Sequence, residues 1–144
     1  MKNYKYNIFL KIFILIIILI IFLACPLLIY GCKSINAKGG VIQISPEEVY
    51  KIINEKKDYF ILDVRTKEEF DAEHLESATL IPVDELEARL GELPKDKPII
   101  VYCRSGRRST KAAEILIKNY FSPVYNMTGG IEQWIEKKYP VSSE

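Results

Sequence analysis

The chain has 144 residues with 20 basic and 19 acidic side chains, enough for one domain of ordinary size plus a short appendage. Three of the 20 basic residues, Lys2, Lys5 and Lys11, precede a long apolar run and all 19 acidic residues follow it, so from Cys32 onward 17 bases face 19 acids and the net charge is near −2. That balance excludes the phosphate-neutralising basic face of a nucleic-acid binder. Of the three cysteines only Cys103 lies beyond the apolar run and its flank, and the single histidine is His74. An internal disulfide and a four-ligand Cys/His zinc site are both excluded there, and no metal or cofactor is expected.

From Ile12 to Tyr30 no residue is charged, and roughly 20 apolar residues match what a membrane-spanning helix requires. Ile14 to Leu23 is apolar all round, which a core helix with one wet face would not be. Pro26 interrupts helix propagation, and the uninterrupted part behind the lysines suits a signal-peptide hydrophobic region. Leu28-Ile29-Tyr30-Gly31-Cys32 then resembles the lipobox of bacterial lipoproteins, in which the cysteine is acylated and becomes the new N-terminus. Residues 1–31 are therefore read as a signal peptide or an uncleaved membrane anchor, with Cys32 the lipidation candidate. Both versions put the lysines inside and the remainder outside, an extracytoplasmic and membrane-anchored location. Residues 32–40, ending in Gly39-Gly40, read as a flexible tether.

Residues 41–144 alternate short apolar strands with helical patterns, which indicates an α/β domain with a mainly parallel sheet of about five strands, flanked by helices on both faces. Strands are expected at Val41 to Ile44, Tyr59 to Leu62, Thr79 to Ile81, Pro98 to Tyr102 and Val124 to Met127. Ser45-Pro46-Glu47-Glu48 supplies a cap, a first-turn proline and two acids to a helix running to about Glu55. Further helices are expected at Thr66 to Glu73, Asp84 to Leu90, Arg108 to Asn119 and Ile131 to Lys138. The fourth of these five helices should turn Ala112, Ala113, Leu116 and Tyr120 to the sheet, and the last Ile131, Trp134 and Ile135.

Cys103 ends a buried strand and is followed by Arg104-Ser105-Gly106-Arg107-Arg108-Ser109 before a helix begins. In parallel sheets ligands collect at such strand ends, where loop N-H groups and helix N-termini point outward. Gly106 can take a positive φ and let the backbone curl around an anion. Three arginines and a helix N-terminus favour thiolate over thiol, and the thiolate is the nucleophile. A buried structural cysteine has no need of such neighbours. Ser109 reads mainly as a helix-start residue. Asp63 and Arg65 close a central strand, and a contact between them, joined by Glu69, would brace the loop. His74 reads as structural.

The pattern resembles a single-domain rhodanese. Leu62-Asp63-Val64-Arg65, Glu69-Phe70, His74-Leu75, Ala78 and Ile81-Pro82 match the family's strand-helix-strand block. Val101 to Ser109 matches its active-site loop, and Gly129-Gly130-Ile131 with Trp134 matches its C-terminal turn and helix. Glu73 and Ser77 stand where the family usually has glycine, and Lys67 where it often has proline. The resemblance implies a sulfurtransferase: the Cys103 thiolate takes sulfane sulfur from a small anionic donor such as thiosulfate and passes the resulting persulfide sulfur to cyanide or a thiol. Arg104 and Arg107 would steer and hold the donor, with Arg108, Ser105, Gly106 and Ser109 completing the cradle. A monomer is expected. Two rivals stay open. A cysteine phosphatase needs arginine at the sixth position after cysteine, which here is Ser109, and a non-catalytic binding module would not require Cys103. A thioredoxin-like role lacks a second cysteine.

Overall fold

The computed structural model describes residues 11–16 and 40–143. By contacts the chain divides into two units, Met1–Asn36 and Ala37–Glu144. In the first, residues 11–16 are helical with apolar side chains exposed, such as Leu15. No helix among the described residues is long and apolar enough to cross a membrane. The expectations for the leader, the tether and Cys32 lie outside the described residues.

The second unit carries five strands, β1 (Ile42–Ile44), β2 (Phe60–Asp63), β3 (Ala78–Leu80), β4 (Ile99–Tyr102) and β5 (Val124–Met127). All pair in parallel in the order β1-β5-β4-β2-β3. This is the α/β architecture expected of the sequence. Parallel strands need crossover connections, supplied here by α1 (Pro46–Asn54), α2 (Lys67–Ala72) and α3 (Arg107–Lys118), with α4 (Gly130–Glu136) closing the chain.

Side chains of a strand alternate between faces, and β4 shows what that does. Ile99 and Val101 join Leu62, Ala112, Ala113 and Leu116 in a core under α3. Ile100 and Tyr102 join Val49, Ile52, Ile131 and Trp134 in a second core under α1 and α4. All four β4 residues are buried, which is why this strand reads as one continuous apolar run.

Both α1 and α2 start with capping boxes: Ser45 and Glu48 close the first, Thr66 and Glu69 the second. Three expectations are corrected. Asp84 to Leu90 is not an α-helix but a chain of turns ending in a 3-10 turn, Leu90–Glu92. Its hydrogen bonds are mostly of the tighter i to i−3 kind, as from Ala88 to Glu85 and from Glu92 to Arg89. A segment this short nucleates a helix poorly, and the burial of Leu86 and Leu93 sets its path instead. Tyr120 is 93 % exposed while Phe121 is buried, because the chain leaves α3 through a positive φ at Tyr120. Ile135 is 38 % exposed, since the seven-residue α4 buries only Gly130, Ile131 and Trp134.

Candidate active site

The two central strands set the site. Asp63 and Tyr102 are register partners at the C-terminal ends of β2 and β4, so the segments that follow leave the sheet side by side. One leads to β3 and the other to β5, on opposite sides of the sheet, the divergence at which α/β folds bind ligands.

Cys103 follows β4 directly and is 1 % exposed. The Gly106 N-H donates to its Sγ at 3.1 Å. Gly106 has φ 105 and caps α3 in the left-handed region, a conformation a β-carbon would strain. Burial of the sulfur pushes its pKa up. Hydrogen bonds from the Ser109 hydroxyl and from the N-H groups of Ser109, Gly106 and Ser105 outweigh this and hold the thiol below its ordinary value.

Ser109 therefore does more than start a helix. It is fully buried, and its Oγ also donates to the Gly106 carbonyl at 3.0 Å. A hydroxyl has one proton and rotates, so it donates to the carbonyl or to the sulfur, one at a time.

The arginines divide in a way that spacing does not reveal. Arg108 grips Glu69 with both terminal nitrogens, at 2.6 and 2.7 Å. That guanidinium holds the Glu69 carboxyl down to about 2. Arg104 donates from Nε to Glu132 on α4 at 2.7 Å. Arg107 is exposed, and among the described residues its side chain makes no hydrogen bond or ion pair. Together with Cys103, Ser105 and Glu132 the three arginines line a cavity of about 470 Å³.

Beneath the loop, Asp63 and Arg65 form a buried ion pair, with Arg65 Nη2 2.7 Å from Asp63 Oδ2. Arg65 also donates to the Glu73 carbonyl at 2.6 Å and lies 5.7 Å over the Tyr102 ring. The Tyr102 hydroxyl accepts from the Leu75 N-H, and burial pushes its pKa well up. Glu69 is spent on Arg108 rather than on this pair. His74 stacks on Phe70 at 3.9 Å with its Nδ1 2.8 Å from the Phe70 carbonyl, outside the cavity.

From the far side, α4 clamps the loop. Ile131 and Glu132 donate their N-H groups to the carbonyls of Cys103 and Arg104 at 2.9 and 3.1 Å. The approach is so close that a β-carbon on Gly130 would overlap both carbonyl oxygens. The Gly129-Gly130 turn is legible in the sequence, but this clamp is not, and Glu132 reads there as an ordinary acid in a first helical turn. A separate hollow of about 410 Å³, lined by Ile53, Lys57 and Tyr59 among others, sits at the N-terminal ends of β2 and β3, away from the Cys103 loop. Among the described residues no cluster of three or more His, Cys, Asp or Glu is placed to hold a metal ion.

The arrangement is a buried thiol of lowered pKa, surrounded by loop N-H donors, at the wall of an arginine-lined cavity. Residues 45–137 match the family model described as a rhodanese-like domain. The chain is 31 % identical over 101 residues to a sulfurtransferase of Allochromatium vinosum, covering 70 % of this chain and 94 % of that one. It is 34 % identical over 92 residues to the thiosulfate sulfurtransferase GlpE of Coxiella burnetii, covering 64 % and 85 %. Among solved structures, a rhodanese-related protein from Thermoplasma volcanium superposes with a TM-score of 0.67 at 34 % identity, covering 72 % of this chain and 99 % of that one.

Proposed function

The chain belongs to the rhodanese-like family, and from that premise we propose that it is a sulfurtransferase in which Cys103 carries sulfane sulfur as a persulfide. The observation that carries this reading is the convergence of loop N-H groups and the Ser109 hydroxyl on the Cys103 sulfur, which lowers its pKa despite burial. The names of the Allochromatium and Coxiella relatives point the same way.

With thiosulfate as donor, the Cys103 thiolate attacks the outer sulfur, a new S-S bond forms, the old one breaks, and sulfite leaves with the electron pair. A thiolate or cyanide then attacks the terminal sulfur of the persulfide and Cys103 departs as thiolate. No redox cofactor is needed, because each step exchanges one bond to sulfur for another. The N-H ring suits both states, since thiolate and persulfide are each anions that accept hydrogen bonds.

A phosphatase reading is disfavoured by Ser109. The sixth position after the cysteine holds a buried hydroxyl, and the neighbouring Arg108 is engaged by Glu69. A purely binding role leaves the lowered Cys103 pKa without a purpose. The reading includes an extracytoplasmic location and a tether through Cys32 or an apolar span, both supported by the lysines, the apolar run and the lipobox-like segment of the sequence, and it takes the chain as a monomer.

The test is mass spectrometry of the Cys103 peptide after the full chain, in detergent, meets thiosulfate. One added sulfur that cyanide removes as thiocyanate is expected, and Cys103→Ser should abolish turnover. No added sulfur with thiosulfate, polysulfide or an organic persulfide would end the sulfurtransferase reading.

A further inference from the structure

The carbonyl oxygen of Gly106 meets more hydrogen-bond donors than it can accept. Three reach it: the Thr110 N-H at 3.0 Å, the Thr110 hydroxyl at 2.9 Å and the Ser109 hydroxyl at 3.0 Å. A carbonyl oxygen has two lone pairs, so one donor is in surplus. The Thr110 N-H closes the first turn of α3 and cannot leave without unwinding it. The contest is therefore between the two hydroxyls, and Ser109 is the one that also reaches the Cys103 sulfur.

A residue outside the loop decides that contest. Asn126 on β5 is 3 % exposed. Its Nδ2 donates to the Thr110 hydroxyl oxygen at 3.3 Å and to Oε1 of Gln43, its register partner on β1, at 3.1 Å. With Thr110 Oγ1 accepting from Asn126, its single proton is directed to Gly106. The opposite orientation of the amide would present Oδ1 to Thr110 and draw that proton away. Gln43 holds the amide the first way round, although Asn126 Oδ1 is then buried with no hydrogen-bond partner among the described residues. An unpaired buried oxygen is unfavourable, and here it accompanies the placing of both Nδ2 protons on named acceptors.

We infer that Asn126 and Thr110 are positioning residues for the reactive cysteine: Asn126 holds the Thr110 hydroxyl on the Gly106 carbonyl, and that carbonyl, once filled, leaves the Ser109 proton to Cys103 Sγ. The relay runs from β1 through β5 and α3 to the sulfur. It rests on the sulfurtransferase reading and deepens it, because the proton it directs serves the thiolate and the persulfide anion alike. Thr110 is exposed and water competes for its hydroxyl, so the relay biases the Ser109 proton without locking it.

The experiment reads the thiolate directly, as the pH dependence of Cys103 alkylation by iodoacetamide. It is followed by mass spectrometry on the Cys103 peptide of the full chain in detergent, alongside sulfur loading from thiosulfate. Thr110→Val keeps the side-chain shape at an exposed position and removes the hydroxyl. It should move the alkylation midpoint to higher pH and slow loading at neutral pH about threefold, the scale of one neutral hydrogen bond. Thr110→Ser should keep the wild-type behaviour, and Asn126→Leu should shift the profile in the same direction as Thr110→Val by a smaller amount. In a Ser109→Ala background Thr110→Val should shift nothing further, since the proton it redirects is gone. A profile that Thr110→Val leaves unmoved, or moves equally with and without the Ser109 hydroxyl, overturns the inference. An Asn126→Leu chain that folds and keeps the wild-type profile overturns the part assigned to Asn126. A wild type that shows these shifts yet takes no sulfur from thiosulfate, polysulfide or an organic persulfide overturns the sulfurtransferase reading and leaves the relay standing.

Discussion

At the scale of single residues, the site depends on who donates to whom. Ser109 supplies the leading contribution that lowers the Cys103 pKa against burial. Ser109→Ala should therefore raise that pKa and move the rising limb of the pH-rate profile for persulfide formation to higher pH. The rate at neutral pH should drop about threefold to thirtyfold, as expected when one hydrogen bond to an anion is lost. An unmoved profile would show that the hydroxyl serves only the Gly106 carbonyl. Glu69 acts on stability. Its folded pKa, about 2 against an ordinary 4.5, is depressed, so its contribution is present above about pH 4.5 and is lost as pH falls toward 2. Glu69→Gln should cost about 1–2 kcal/mol at pH 7, allowing for partial exposure of the pair. In urea titrations the gap between wild type and variant should close as pH drops from 5 to about 2, the folded pKa. A gap independent of pH would remove the ion pair as its cause.

At the scale of elements, the active-site loop belongs to two helices at once. It ends as the N-terminus of α3, and its first two carbonyls cap α4. Gly129 and Gly130 both have positive φ, yet they face different neighbours. A β-carbon at Gly129 meets the flexible Gln133 side chain, whereas at Gly130 it meets loop backbone. Gly130→Ala should then cost about 2–4 kcal/mol and slow sulfur loading, against about 1 kcal/mol for Gly129→Ala, both measured by chemical denaturation. Equal costs would mean that backbone strain alone, and not the clamp, requires glycine there. The segment from Asp84 to Leu90 teaches the converse. Its pattern suggested a helix, but Leu86 and Leu93 are both held in the core, and tertiary anchoring overrode a propensity that is weak over so few residues.

At the scale of the whole molecule, the proposed tether makes its own prediction. In a bacterial host, labelled palmitate should enter the wild-type chain and not Cys32→Ala. A wild type that resists carbonate extraction without taking label would indicate an apolar span, and one that is soluble without label would remove the anchor altogether. The sequence by itself determined the parallel α/β class, because strands buried on both faces read as continuous apolar runs, as Phe60 to Leu62 of β2 and all of β4 do. It also singled out the Cys103 loop, since a cysteine, a glycine and three arginines at a strand end are a local signal. Only the tertiary structure decided how those arginines are spent. Glu69 lies 39 residues from Arg108 and Glu132 lies 28 from Arg104, separations at which no periodicity or capping rule operates. Their meeting depends on β2 and β4 running side by side and on α4 packing its first turn against the loop. Charge pairing is a property of distance in space, and that distance exists only once the sheet has brought its C-terminal ends together.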